Sequence, residues 1–148
     1  MIFLETTRLR LRNVNPSDAE EIFDYRNNEK CSKYQRDQTK DFNRIFAMTQ
    51  KRQNDTLSVN APAMVAVALK ETDAIIGEII VKPNEGTISL GYTFSYKVHR
   101  NGYAFEALSS LIEYLHVKFP EWDYICFTET ENIPSMGLLR KLGYINLG

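Results

Sequence analysis

The stretch Thr87-Ile88-Ser89-Leu90-Gly91-Tyr92-Thr93-Phe94-Ser95-Tyr96-Lys97-Val98-His99-Arg100-Asn101-Gly102-Tyr103-Ala104-Phe105-Glu106-Ala107 decides how this chain folds. Its first half has the β-branched and aromatic content of a strand. Its second half opens a long amphipathic run, in which Ala104, Leu108, Leu111, Leu115 and Phe119 recur at spacings of three and four. That period is a helix with one core stripe. Between the two lies a short basic loop ending in glycine. The first amides of a helix have no partner of their own, and the helix dipole adds partial positive charge beside them. Such a loop is an anion cradle or an ordinary strand-to-helix turn, and its own residues do not choose between the two.

Working back from that stretch, Ala74-Ile75-Ile76-Gly77-Glu78-Ile79-Ile80-Val81 and Ala63-Met64-Val65-Ala66-Val67-Ala68-Leu69 read as strands. Turn signals at Thr72-Asp73 and Asn84-Glu85-Gly86 join them to the strand at 87–96 as an antiparallel meander. Helices are predicted over about 15–28, entered through Asn15-Pro16-Ser17-Asp18, and over about 41–53. Phe42, Ile45, Phe46, Met48 and Thr49 mark the apolar side of the second helix, and Phe42 and Phe46 are assigned to the core with Tyr34. In Thr7-Arg8-Leu9-Arg10-Leu11-Arg12 strict alternation predicts a half-buried strand, leucines in and arginines out. Forward of the long helix, Pro120 closes it and residues 122–128 form a strand parallel to the one before the crossover. A last helix starts at Asn132 and ends at Gly143, followed by a strand from Tyr144. The predicted order, βααβββαβαβ, is an α+β, or mixed α/β, domain around one sheet.

The 148 residues suit a single domain, 1–148, able to bury its own core. A net charge of −1 gives no support to nucleic-acid binding. No stretch reaches the length of a membrane span, and Met1-Ile2-Phe3-Leu4 is too short for a signal-peptide core. Cys31 and Cys126 form no zinc or redox motif, so no metal is expected and a cytoplasmic setting is predicted.

Four ordered segments resemble the GNAT N-acetyltransferases, in particular their RimJ/RimL-like branch. They are Leu4-Glu5-Thr6-Thr7-Arg8-Leu9-Arg10-Leu11-Arg12 with Pro16-Ser17-Asp18-Ala19; Ile76-Gly77-Glu78-Ile79; Leu90-Gly91-Tyr92 through Gly102-Tyr103-Ala104-Phe105-Glu106-Ala107; and Asn132-Ile133-Pro134-Ser135 with Leu139-Arg140-Lys141-Leu142-Gly143-Tyr144. The resemblance implies a central mixed, mostly antiparallel sheet flanked by helices. It departs from the family at His99, where Gln or Arg is usual. The family's closing C-terminal hairpin is also missing before Gly148. That shortfall predicts either a cut chain or an open sheet edge covered by a second copy in a homodimer.

The resemblance also assigns roles. Lys97, Val98, His99, Arg100, Asn101, Gly102, Tyr103 and Ala104 would hold the pyrophosphate of acetyl-CoA, with Gly102 allowing close backbone approach. The backbone of Tyr92, Thr93 and Phe94 would pair with the pantetheine arm, and an amide there would polarise the thioester carbonyl. Gly91 is expected to mark a bulge. Asn132 would contact the pantetheine, and Ser135 would protonate the departing thiolate; beside this stands the plainer reading of two polar residues in a first helical turn. Glu78, Glu129 and Glu131 are candidate bases, with Glu78 carried forward, while Glu106 fits a structural role. The implied function is acetyl transfer from acetyl-CoA to a primary amine, a protein or peptide N-terminus being one candidate, by direct attack in a ternary complex. The alternative is a CoA-binding regulatory or degenerate module without catalysis.

Overall fold

The computed structural model describes residues 1–28, 41–98, 101–126 and 142–143. In chain order they form β1 (Ile2–Glu5), β2 (Leu9–Asn13), a 3-10 turn (Pro16–Asp18), α1 (Ala19–Asn27) and α2 (Phe42–Arg52). Next come β3 (Ala63–Leu69), β4 (Ile75–Asn84), β5 (Thr87–Phe94), a 3-10 turn (Tyr96–Val98), α3 (Tyr103–Lys118) and β6 (Asp123–Cys126). The six strands make one sheet in sequence order; every pairing is antiparallel except the last, β5 with β6. The expected α+β architecture is what forms, with one strand more at its start. Ile2–Glu5, for which no separate strand is predicted, pair with β2 as β1. The predicted helix from Asn132 and the strand from Tyr144 lie outside the described residues. Gly143 has the left-handed φ, +91°, expected of a residue just past a helix end.

Alternation sorts the side chains into two layers. Leu9, Leu11, Val65, Val67, Ile79, Val81, Ile88 and Leu90 pack against Ala107, Leu108, Leu111 and Leu115 of α3. Met64, Ala66 and Val14 meet Ile22, Tyr25 and Ile45 of α1 and α2 on the other face. Because β3 is buried on both faces, it reads as a continuous apolar run instead of an alternating one.

Three expectations are corrected. Arg12 does not face out: it is 9% exposed, and its guanidinium donates to both carboxylate oxygens of Asp18 at 2.8 and 3.0 Å and to Asp73 Oδ1 at 2.9 Å. That network ties β2 to the first 3-10 turn and to the β3–β4 turn. Phe42 and Phe46 are not core: they are 40% and 38% exposed, stacked on each other, with Phe42 edge-on to Phe23. Ile45 and Thr49 take the buried side of α2. Gly91 marks no bulge, since β4 and β5 stay in register from Gly77–Phe94 to Asn84–Thr87. The irregularity sits instead in β4 against β3, between the pairs Val67–Gly77 and Ala68–Ile75.

Gly77 explains why β5 can lie so close there. A Cβ on it would stand 2.6 Å from Phe94 Cδ1 and 2.7 Å from the Thr93 carbonyl oxygen, so β5 would have to move. Gly77→Ala is therefore expected to destabilise the fold by about 1–3 kcal/mol, the range for overpacking a tight site. Urea unfolding checks it, through a lower midpoint at unchanged slope.

Candidate active site

The loop between β5 and α3 is tied at both ends. On the β5 side, the Val98 amide donates to the Ser95 carbonyl, and the amide of Lys97 donates to the Ser95 hydroxyl at 3.2 Å. On the α3 side, Gly102 is the N-cap residue with φ +77° and ψ +6°, a left-handed conformation that L side chains adopt at a cost. The amides opening the 16-residue α3 have no intrahelical acceptor. Glycine here lets the chain turn sharply into the helix.

A carboxylate one turn inside the helix fixes this start. Glu106 accepts from the Thr6 hydroxyl, from the Arg8 amide at 3.0 Å and from Arg8 Nε at 2.7 Å. Arg8 also donates from Nη1 to the Asn101 carbonyl at 3.0 Å and lies 4.3 Å over the Tyr103 ring. Peptide N–H and C=O groups point in opposite directions across a trans bond. Anchoring the Asn101 carbonyl on Arg8 thus turns the Gly102 amide away from the β1–β2 hairpin. Partial burial opposes ionisation of Glu106, but the Thr6 and Arg8 donors outweigh it and hold the carboxyl below its ordinary value. In the sequence Arg8 and Thr6 read only as parts of an opening strand, and alternation gives no sign that they reach a helix about a hundred residues on.

The strand leading to the loop carries Tyr92 and Phe94 toward the α3 layer, their rings 6.3 Å apart, and Thr93 toward the opposite face. Thr93 stands directly across from Glu78 in the register. Glu78 is 1% exposed, and Arg26 Nε donates to its Oε1 at 2.7 Å. Burial pushes the Glu78 carboxyl up, and Arg26 opposes that. The remaining oxygen, Oε2, and the nearby Tyr25 hydroxyl are both buried without a hydrogen-bond partner. Burial and the Glu78 charge push the Tyr25 phenol well above its usual value.

Other expected members are placed differently. The Lys97 ammonium turns to α1, 3.0 Å from Glu21 and 3.6 Å from Asp24, and Tyr96 donates to Asp24 at 3.1 Å. His99, Arg100, Glu129, Glu131, Asn132, Ser135 and Tyr34 lie outside the described residues. Open grooves indent the surface among the described residues. One of about 490 Å³ runs past Asp18, Glu21, Asp73, Ser95, Lys97 and Val98 beside the loop. One of about 410 Å³ lies between β1 and the C-terminal half of α3, away from the residues assembled here. Among the described residues no cluster of His, Cys, Asp and Glu could hold a metal ion.

A mixed sheet passes through a glycine loop into a helix, with helices on both faces. The profile described as Acetyltransferase (GNAT) domain matches residues 8–145, and the chain belongs to that family. Its sequence is 27% identical over 142 residues to the uncharacterized N-acetyltransferase YnaD of Bacillus subtilis (strain 168), covering 95% of this chain and 81% of that protein. Among solved structures, a GNAT-family acetyltransferase from Bacillus anthracis superposes with a TM-score of 0.87 at 21% identity, over 100% of this chain and 86% of that one. The ribosomal-protein-S5-alanine acetyltransferase of Vibrio fischeri gives 0.76 at 17%, over 100% and 85%. At those identities the solved structures speak to the fold.

The lowered Glu106 carboxyl makes a pH prediction. Its stabilisation is present above the unfolded-state value and is lost as pH falls through the lower folded-state value. Glu106→Gln is expected to cost about 1 kcal/mol at pH 7, the order of a charge-assisted contact partly screened by solvent. The gap to wild type should close in acid. Unfolding curves at stepped pH read it directly.

Proposed function

We propose that this acyltransferase moves an acetyl group from acetyl-CoA to a primary amine by direct attack in a ternary complex. The observation that carries the reading is Gly102: left-handed, closing the loop after β5, and opening α3 with its own amide turned from the hairpin. Those residues fit a pyrophosphate, which needs several N–H donors and close backbone approach. In this reading residues 97–104 hold the pyrophosphate, and the backbone of Tyr92, Thr93 and Phe94 lies along the pantetheine arm. The amine arrives as an ammonium and must lose a proton before it can attack. Glu78 takes that proton. The nitrogen then bonds to the thioester carbon, the carbon–sulfur bond breaks, and the nitrogen's second surplus proton ends on the CoA sulfur by way of Ser135. One proton is released per turnover. Asn132 contacts the pantetheine, and membership of the RimJ/RimL-like branch and a cytoplasmic setting belong to the same reading.

One observation favours a second reading. The Glu78 carboxylate is sealed under the sheet and already paired with Arg26. A buried ion pair of that kind also suits a CoA-binding module without catalysis.

Calorimetry with acetyl-CoA, then thiol release with amine panels, separates the two. We expect saturable binding of acetyl-CoA, and Gly102→Val is expected to weaken it about tenfold or more, because a β-branched residue resists positive φ. Thiol release with any primary amine supports transfer. Binding without thiol release supports the second reading, and absence of binding contradicts both.

A further inference from the structure

We propose that Arg8 is a positioning residue for the donor: by holding the Asn101 carbonyl it keeps the Gly102 amide aimed at the pyrophosphate, without touching the ligand itself. This role rests on the reading of residues 97–104 as the pyrophosphate site, and it meets a need that Gly102 creates. A glycine accepts either sign of φ, so the peptide plane before it can flip at little cost, reversing its amide by about 180°. The residue that lets the chain turn also needs something to hold that plane.

The peptide after Gly102 is held by the helix, since the Glu106 amide donates to the Gly102 carbonyl at 3.1 Å. The peptide before it, joining Asn101 to Gly102, lies outside α3. Asn101 Nδ2 donates to the Val98 carbonyl at 3.1 Å, but that bond does not set the direction of the Asn101 carbonyl. Arg8 Nη1 does, at 3.0 Å.

The guanidinium is itself held in place. Its Nε donates to Glu106 Oε1 at 2.7 Å, the Arg8 amide donates to Glu106 Oε2 at 3.0 Å, and the Tyr103 ring lies 4.3 Å away. The planar fork thus grips α3 with one nitrogen and the loop with another. A Cβ on Gly102 would stand 3.5 Å from Nη2, which puts the same group beside the glycine. On this side of the loop the Glu106 carboxylate opposes a phosphate. The Gly102 amide points the other way, because N–H and C=O are opposed across the trans peptide. Arg8 therefore has two separable effects at a distance: it orients an amide, and it offsets the charge of Glu106.

Calorimetry with CoA compares wild type, Arg8→Met, the double variant Arg8→Met/Glu106→Gln and Arg10→Met, all as full chains. Methionine removes every donor and keeps an apolar stem. Arg10 is the matched control in the same hairpin: it pairs with Glu5 at 2.8 Å and Asp73 at 3.1 Å and has no contact with the loop among the described residues. Arg8→Met is expected to raise the Kd for CoA about tenfold, the weight of one charge-assisted hydrogen bond, while Arg10→Met stays within about twofold of wild type. The double variant removes both charges and is expected to stay about tenfold weak, because the carbonyl is still unanchored. In turnover with acetyl-CoA and an aliphatic amine, Arg8→Met is expected to raise KM by a similar factor and to leave kcat within about twofold. Thermal midpoints taken alongside report folding apart from binding. If Arg8→Met alone fails to fold, the double variant, with no uncompensated charge, decides the question by itself. Recovery of affinity in the double variant overturns positioning in favour of charge offset. Equal losses in Arg8→Met and Arg10→Met, a fall in kcat alone, or wild-type affinity in Arg8→Met also overturn it, and all of these leave the donor reading standing. A wild-type protein that does not bind CoA overturns that reading and the role of Arg8 with it.

Discussion

The Glu106 carboxylate is the contact on which the donor end of this structure depends. It sits one turn inside α3 yet is held by two residues of the first hairpin, Thr6 and Arg8. A negative charge so near a helix N-terminus would oppose an incoming phosphate. Arg8 neutralises it, uses Nη1 on the Asn101 carbonyl, and so determines which way the Gly102 amide points. The edge of the sheet farthest from α3 in sequence thereby sets the geometry of the loop. Exposed ion pairs seldom matter much to stability, but this one carries three donors on one carboxylate and acts through position.

On the opposite face the sheet holds a different polar cluster. Arg26, Glu78 and Tyr25 are enclosed between α1 and β4, where an ion pair gains little over a well-packed apolar trio and leaves two polar atoms unpartnered. An apolar cluster would serve folding as well. What the charged one supplies is a buried carboxylate with one oxygen pinned by Arg26 at 2.7 Å.

Local physics made much of this legible in the sequence. The alternation of β2, the continuous run of β3, the stripe of α3 and the glycines of the turns predicted elements that formed within a few residues. The misses share one cause: each depends on contacts between segments far apart in the chain. Arg12 reads as an outward arginine until Asp18 and Asp73 surround it. Phe42 and Phe46 read as part of one apolar side with Ile45 and Thr49, but Ile45 and Thr49 are the ones α2 buries. Arg8 gave no sign of its reach to Glu106. The Gly102 turn into α3 was visible because its chemistry is local, and Glu78 was visible as an acid but not as one enclosed with Arg26.

The central claim is that one ligand lies along β5 and ends at the start of α3. Amide hydrogen exchange, followed by mass spectrometry with and without CoA, tests it most directly. The account predicts slowed exchange in two stretches together, residues 91–94 and residues 101–105, with little change in β1 or the C-terminal half of α3. Protection confined to the groove between β1 and α3, or none at either stretch under saturating CoA, would contradict it.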